Sequence, residues 1–357
     1  MTRILFITST RIGDAILNSG VLQHLSDTHA DARITVACGP LAAPLFRATP
    51  KVERVIVMKK QKGGGHWLSL WRQSVSQRWD MVVDMRGSLT SWFLWAGQRF
   101  VKRPNPRAGV RHRVEEAAEV LRLGAAPGTR LWIDAAGEAR ADAELPQGQT
   151  VLALSPAASA VFKEWAPERF SELALRLTAE DGLLPGAAIA IFGGPGDEAR
   201  AQAVKAGLEA RTVIDLTGQL DLVEAAACLK RAALFVGNDS GLMHMAAAAG
   251  TPTLGLFGPT DERLYAPGGE KARIVRAGDR FDERERRGVV GGALRTGAEA
   301  GLKLLQDRLG RDLRLDRADL TAIDRVVGLA VEATGRPVVR GELALVAAGQ
   351  ALVVGDA

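Results

Sequence analysis

Short apolar runs and longer amphipathic segments alternate along most of the chain. Apolar, often β-branched runs typical of buried strands lie at residues 3–8, 33–37, 52–57, 81–84, 150–155, 188–192, 212–216, 232–236 and 253–257. Apolar residues recur at helical spacing in residues 14–29, 41–48, 114–123, 168–179, 198–209, 222–230 and 242–249. This alternation predicts an α/β protein with parallel sheets.

The strand and helix pattern is interrupted at residues 125–149, which are rich in Ala, Gly, Pro and charged residues. Such a composition is typical of a linker. A chain of 357 residues also exceeds the usual size of a single core. We therefore expect two Rossmann-like domains, over residues 1–148 and 149–320, with a further helical pattern near residues 320–333.

The overall composition, with 47% hydrophobic and 24% charged residues, is ordinary for a soluble globular protein. No apolar run approaches the roughly eighteen residues that a spanning helix needs. The first residues form a strand pattern without the cleavage region of a signal peptide, so we expect a cytoplasmic protein. Cys38 and Cys228 have neither metal-ligand spacing nor a disulfide framework, and we expect two buried thiols.

Positive charge is concentrated in residues 54–114, which carry thirteen Lys or Arg against Asp80 and Asp84, a net charge of +11. The whole chain carries only +5, so the remainder is net acidic. A one-sided basic surface favours a polyanionic partner, namely nucleic acid, an anionic membrane face or a phosphorylated glycolipid. The alternative is a basic face that is merely solvated.

Five of the seven tryptophans lie between Trp67 and Trp95, among basic residues and apolar positions such as Leu68 and Phe93. Amphipathic rings and cations together suit a membrane interface. We prefer an anionic membrane surface over nucleic acid, because no recognisable nucleic-acid module accompanies the segment. The alternative is that several of these tryptophans simply belong to the core.

The stretch 236–260 predicts a strand, a helix of about ten residues and a second strand. Asp239 and Ser240 lie where an N-cap belongs, and Gly250 lies where a C′ glycine belongs. The unpaired N–H groups of such a helix bind anions. With Gly241 for close approach, the Ser240 hydroxyl and His244 one turn on, the stretch predicts a diphosphate site. The alternative is a buried βαβ unit with an ordinary cap.

The first strand is followed by a loop that ends at Asp14 and lacks the G-x-G-x-x-G pattern. The missing glycines argue against a dinucleotide clamp at this turn. Asp14 stands at the junction of loop and helix. It is either a helix-start carboxylate, favoured by the helix dipole, or a general base facing a cleft.

The motif D-S-G-L-M-H at residues 239–244, followed by G-T-P and L-F-G-P-T, resembles the nucleotide-sugar site of the lipopolysaccharide heptosyltransferases, glycosyltransferase family nine. The loop S-T-R-I-G-D at residues 9–14, the segment at 155–170 and the turn at 192–198 resemble other segments of that family. The resemblance covers roughly residues 1–280.

The resemblance implies roles for individual residues. Asp14 corresponds to the base that deprotonates the acceptor hydroxyl. Lys163 corresponds to the lysine that meets the donor diphosphate, with Ser159 as a weaker candidate, although Ala166 interrupts the family's K-x-W-P pattern. Glu198 corresponds to a glutamate that holds a ribose hydroxyl. The remaining donor-site residues are Asp239, Ser240, Gly241 and His244. From the residues alone, Lys163 could equally be an exposed loop cation, and Glu198 a helix-start carboxylate.

The resemblance also implies a GT-B fold, in which two Rossmann-like domains face a central cleft, with residues 321–357 comprising a helix that crosses back and a tail. It implies an inverting transfer of a heptose from ADP-heptose to a lipopolysaccharide core or related glycolipid. No carboxylate or His/Cys cluster has metal-ligand spacing, and a cation and a helix dipole can replace a metal, so we expect no metal or other cofactor. We expect a monomer, peripheral on the inner face of the cytoplasmic membrane, that binds no nucleic acid. The alternatives are a sugar-nucleotide epimerase or hydrolase of the same architecture and a non-catalytic polyanion-binding protein.

Overall fold

A computed structural model describes residues 1–105 and 109–276, which form two parallel sheets with flanking helices. The Gly- and Arg-rich residues beyond 276, the closing helix and the tail, expected over 321–357, lie outside the described residues. No helix in the described part is long and apolar enough to cross a membrane.

The first sheet has the strand order β3-β2-β1-β4-β5, and its ladders are parallel. Its strands are β1 (Thr2–Ile7), β2 (Ala32–Cys38), β3 (Val52–Val57), β4 (Trp79–Asp84) and β5 (Ala96–Val101). The accompanying helices are α1 (Ile12–Leu17), α2 (Ser19–Thr28), α3 (Gly65–Ser74) and α4 (Arg113–Val120). We call this part of the molecule the first lobe.

The second sheet has the order β11-β10-β9-β6-β7-β8, again with parallel ladders. Its strands are β6 (Val151–Ser155), β7 (Ala188–Ile191), β8 (Val213–Asp215), β9 (Leu234–Asn238), β10 (Thr253–Phe257) and β11 (Ala272–Arg276). Its helices are α5 (Ala135–Glu144), α6 (Pro167–Leu177), α7 (Glu198–Ala206), α8 (Leu222–Arg231), α9 (Gly241–Ala248) and α10 (Glu262–Tyr265). This is the second lobe.

Both sheets reverse their strand order next to the first strand, between β1 and β4 and between β6 and β9. Such switch points open a crevice at the carboxyl ends of the strands, where ligands of α/β sheets bind. One helix begins at each crevice, α1 after β1 and α9 after β9, and these two helices pack against each other. One apolar core also runs through both lobes and includes Phe46 and Leu229. The two crevices therefore face each other.

The sequence pattern predicted all but two strands and misplaced several helices. Strands β5 and β11 were missed because neither is buried along its length. The helix expected over 14–29 is divided at Asn18, whose side-chain amide donates to the Thr8 hydroxyl at 3.0 Å. The helix expected over 41–48 is a short 3-10 turn, Ala43–Phe46, which contains a proline.

The linker expected over 125–149 contains helix α5, so a flexible linker was the wrong prediction for that part. Asp134 caps the helix by accepting from Gly137 N at 2.8 Å. Arg231 of α8 makes an ion pair with Glu138 at 3.2 Å across the packed helices. The composition was interpreted as a linker, although alanine is the strongest helix former.

Two tryptophans of the basic segment test how its aromatic residues divide between core and surface. Trp79 is 1% exposed and donates to Ser74 O at 3.0 Å, whereas Trp95 is 70% exposed. Trp79→Ala should lower the free energy of unfolding by about 3–5 kcal/mol, and Trp95→Ala by less than about 0.5 kcal/mol. Urea unfolding of both variants measures this, and equal losses would contradict the assigned packing.

Candidate functional site

A buried ion pair spans the crevice of the second sheet. Lys163 lies in the loop after β6 and Asp239 directly after β9, and Lys163 Nζ lies 2.7 Å from Asp239 Oδ2. The two side chains are 21% and 6% exposed. Lys163 is therefore not an exposed loop cation, because its ammonium is paired with the Asp239 carboxylate.

The loop that carries Lys163 is tied to the neighbouring strands. Asn238, fully buried, donates to Pro156 O at 2.6 Å and accepts from Trp165 N at 3.0 Å. Glu164 pairs with Arg200 of α7 at 2.7 Å. Ala166, the extra residue in the motif, is the N-cap of α6. The loop is thereby held on both sides of Lys163.

The N-terminus of α9 differs from the predicted capping pattern. Ser240 occupies the N-cap position, but its side chain makes no capping hydrogen bond, so the expected side-chain cap is absent. Its Oγ is buried and has no hydrogen-bond partner among the described residues. The helix is eight residues long, rather than about ten, and Gly250 has the positive φ expected of a C′ glycine. The first N–H groups of α9 therefore receive no bond from the Ser240 side chain.

His244, on the first turns of α9, is 4% exposed. Burial lowers its pKa from 6.5 to about 4; the Asp239 carboxylate opposes this shift, while the charges of His112 and Lys163 add to it. The imidazole is thus neutral at pH 7. Its Nδ1 has no hydrogen-bond partner in the described part of the chain.

The two lobes meet at a pair of glycines. A Cβ atom built on Gly13 would lie 3.1 Å from Cδ2 of His244, and one on Gly241 would lie 3.1 Å from Cγ2 of Ile12. These distances are tighter than most real Cβ contacts, so the absent side chains allow the approach of α1 to α9. Asp14, which follows Gly13, is thereby brought beside the first turn of α9.

Asp14 lines a cavity of about 210 Å³ between the lobes. The other lining residues are Ser9, Leu17, Asn18, Met85, Lys102, Arg113 and Tyr265. A second cavity, of about 600 Å³, shares Lys102 and Arg113 with it. Six cations line the larger cavity, against only two acids: Arg99, Lys102, Arg103, Arg111, Arg113 and Arg122 against Glu116 and Glu119.

Helix α4 links this basic region to the second lobe. His112 caps α4 by accepting from Val114 N at 3.2 Å through Nδ1, and its Nε2 lies 2.9 Å from Ala266 O. The Arg113 guanidinium lies over the Tyr265 ring at 5.2 Å. Burial tends to raise the pKa of Glu116, but hydrogen bonds from Lys102 and Arg113 reverse this and hold it low. These contacts join the lobes beside Asp14.

The remaining predicted donor residues lie farther out. Glu198, at the start of α7, is exposed and accepts from Gly196 N at 3.0 Å. That backbone bond lowers its pKa. Ser159 is exposed in the loop after β6. The structure thus brings Lys163, Asp239 and the start of α9 together, with Glu198 and Ser159 towards the solvent.

Several residues at the site were not singled out by the sequence. Asn238 had a detectable signal, since it is a polar residue directly before Asp239 at the end of an apolar strand. No sequence signal marks the contacts of His112 with Ala266 or of Arg113 with Tyr265, because each contact joins positions more than 150 residues apart. Cys38 and Cys228 are free and buried, as expected, and burial raises the pKa of Cys38 to about 12.

A family model described as glycosyltransferase family 9 (heptosyltransferase) matches residues 97–289, just over half of the chain. Lipooligosaccharide heptosyltransferase 2 of Haemophilus influenzae is 26% identical over 309 residues, covering 76% of this chain and 88% of the relative. Lipopolysaccharide heptosyltransferase 3 of Escherichia coli is 24% identical over 305 residues, covering 75% and 86%. The resemblance drawn from the motifs is confirmed.

Two solved structures share the fold. A family 9 glycosyl transferase of Veillonella parvula gives a TM-score of 0.69 at 19% identity, covering 93% of this chain and 97% of the other. ADP-heptose lipopolysaccharide heptosyltransferase II of Escherichia coli gives 0.64 at 22% identity, covering 86% and 100%. The predicted GT-B fold is confirmed.

The low pKa of His244 predicts a pH dependence of stability. Its folded pKa, about 4, lies below the unfolded value of 6.5, so the unfolded state binds the proton more tightly between these values. The contribution of His244 to the free energy of unfolding is complete above the unfolded pKa and falls with pH towards 4, by about 2 kcal/mol between pH 7 and 5. Urea unfolding of His244→Asn should lack this decrease. An equal pH dependence in both proteins would contradict it.

Proposed function

The chain belongs to glycosyltransferase family 9, and from this premise we propose that it transfers a heptose from ADP-heptose to a lipopolysaccharide core or related glycolipid. Several relatives are named as lipopolysaccharide or lipooligosaccharide heptosyltransferases, and one similar structure as an ADP-heptose enzyme. The observation that carries the proposal is the meeting of α1 and α9, which brings Asp14, next to Gly13, beside the N-terminus of α9. The ion pair of Lys163 with Asp239 lies in the same crevice.

We propose that the donor diphosphate binds at the start of α9. The N–H groups there and the helix dipole favour an anion, and Gly241 offers no side chain that would block it. The unpartnered Ser240 hydroxyl and His244 Nδ1 supply further donors. Asp239 would repel a diphosphate directly, so its role is to orient Lys163, whose ammonium turns to the phosphate when the donor enters. Glu198 and Ser159 are the proposed ribose and outer-phosphate contacts.

The proposed reaction is a direct displacement at the anomeric carbon. Asp14 takes the proton of the acceptor hydroxyl while the oxygen forms its bond to that carbon. The bond between the carbon and the diphosphate oxygen breaks from the opposite face, and the configuration inverts. The departing negative charge is stabilised by Lys163 and the α9 dipole. These groups perform the task that a metal ion performs in other sugar transfers, so we propose no metal or other cofactor.

The acceptor is proposed to lie in two cavities, the smaller between the lobes and the larger in the first lobe. The smaller, beside Asp14, is suited to the reacting sugar. The larger contains Arg103 and Arg122, which make no ion pair with the described acidic residues, and it suits phosphate or carboxylate groups of a glycolipid. We propose a monomer in the cytoplasm, peripheral on the inner face of the cytoplasmic membrane, with nucleic acid excluded as a partner.

The donor site is tested with Lys163→Met. Without the ammonium, ADP meets the buried Asp239 carboxylate unscreened, so the free energy of binding should weaken by about 1–3 kcal/mol, roughly fivefold to 150-fold in affinity. Calorimetric titration with ADP measures this. Lys230→Met is the matched control, because Lys230 makes an equally short ion pair, 2.8 Å from Glu138, on the distant α5–α8 contact. Equal ADP affinities of the Lys163→Met and Lys230→Met variants would show that Lys163 does not contribute to the donor site.

The base is tested with Asp14→Asn, which keeps the size of the side chain and removes the proton acceptor. Transfer should fall by about 10²- to 10⁴-fold, while ADP affinity persists. The assay follows release of nucleoside diphosphate with a lipopolysaccharide-core extract depleted of heptose as acceptor. Asp27→Asn, on the exposed side of α2, is the control. Transfer at the wild-type rate over a full pH profile would show that the base lies elsewhere.

A further inference from the structure

Four large apolar side chains project from the crossover between β4 and β5, at the outer edge of the first sheet. Leu89 is 76% exposed, Phe93 69%, Trp95 70% and Trp92 48%. We call these four residues the apolar ridge. Four such side chains within seven positions form a cluster of the kind that marks an interaction surface, rather than the isolated exposed residues of an ordinary surface.

The backbone of the ridge is held in place from beneath. The Trp71 indole donates to Phe93 O at 3.0 Å. Arg99 donates to Ser91 O at 3.2 Å and to Leu94 O at 2.5 Å. Ser91 and Leu94 themselves are buried. The inward residues therefore anchor the crossover, and the ridge residues cannot fold into the core without breaking these bonds.

Cations flank the ridge and extend to the acceptor cavity. The Arg103 guanidinium lies 5.7 Å from the centre of the Trp92 ring, and both Arg99 and Arg103 are exposed. Trp92 also lines the 600 Å³ cavity with its six cations. The ridge and the proposed acceptor site are thus parts of one surface.

We propose that the apolar ridge inserts into the acyl boundary of an anionic bilayer, while the neighbouring arginines bind lipid headgroups. Apolar side chains gain by leaving water, and cations gain from the negative surface potential. This arrangement holds the mouth of the large cavity at headgroup level. It rests on the proposed function only for the claim that the cavity receives a lipid-linked acceptor.

The charge of the surface favours a bilayer over other occupants of the ridge. A second copy of the chain would bring the same cluster of arginines against itself, at a cost of like-charge repulsion. An anionic membrane neutralises those cations instead. Insertion, rather than surface attraction alone, follows from Leu89 and Phe93, which carry no charge or hydrogen-bonding side-chain group.

The test is binding of the full chain to vesicles, without donor or acceptor. Wild-type protein should bind phosphatidylglycerol-containing vesicles and bind phosphatidylcholine vesicles far less. Brominated lipids should quench its tryptophan fluorescence. Leu89→Ser should weaken binding by about tenfold, and Phe93→Ser with Trp95→Ser by more. Leu41→Ser is the matched control, since Leu41 is 65% exposed outside the ridge and should bind as wild type does.

The possible outcomes separate the explanations. Equal binding by wild type and the ridge variants, or binding without bromine quenching, overturns insertion. Loss of self-association in the ridge variants, with no vesicle binding by wild type, assigns the ridge to a second copy and overturns the proposal. ADP affinity, measured on the same samples, should be unchanged in the ridge variants. A failure of vesicle binding is therefore distinguishable from a failure of the proposed donor site.

Discussion

The contact between α1 and α9 is the constraint on which the arrangement of the site depends. Each helix presents a glycine to the other, and a Cβ atom at either position would come within 3.1 Å of the opposite lobe. A larger side chain would push the lobes apart and separate Asp14 from the start of α9. Because a catalytic group must lie within hydrogen-bonding reach of its proton, such a displacement affects chemistry more than folding.

The ion pair of Lys163 with Asp239 limits the cost of placing a lysine in the crevice proposed for the diphosphate. An isolated ammonium in the crevice would carry a large desolvation cost, and Asp239 offsets part of this cost by forming a pair of zero net charge. His244 adds no charge, because burial lowers its pKa to about 4. The crevice is therefore nearly neutral apart from the dipole of α9. A diphosphate that bonds to Lys163 therefore meets a cation whose burial cost is already partly offset, but it must also overcome the repulsion of the Asp239 carboxylate.

The sequence predicted most of the fold because parallel strands buried on both faces give continuous apolar runs. It also predicted the position of α9 and its C′ glycine, Gly250, but not the absence of a side-chain cap at Ser240. It could not predict contacts between lobes, such as that of Arg113 with Tyr265, because no local pattern encodes them. It identified the aromatic segment but not the direction of its side chains. Trp79 belongs to the core. Leu89, which the sequence pattern did not single out, is the most exposed member of the ridge.

Arg113 joins the proposed acceptor site to the contact between the lobes. Its guanidinium lines both cavities, pairs with Glu116 and stacks on Tyr265 of the second lobe. An anionic ligand that binds this guanidinium competes with Glu116 and alters the stacking on Tyr265. Thermodynamic linkage then requires that the energy of the lobe contact and the affinity for the anion depend on each other. Asp14, Arg113 and Tyr265 line the same small cavity, so a change in this contact would act directly beside the proposed base.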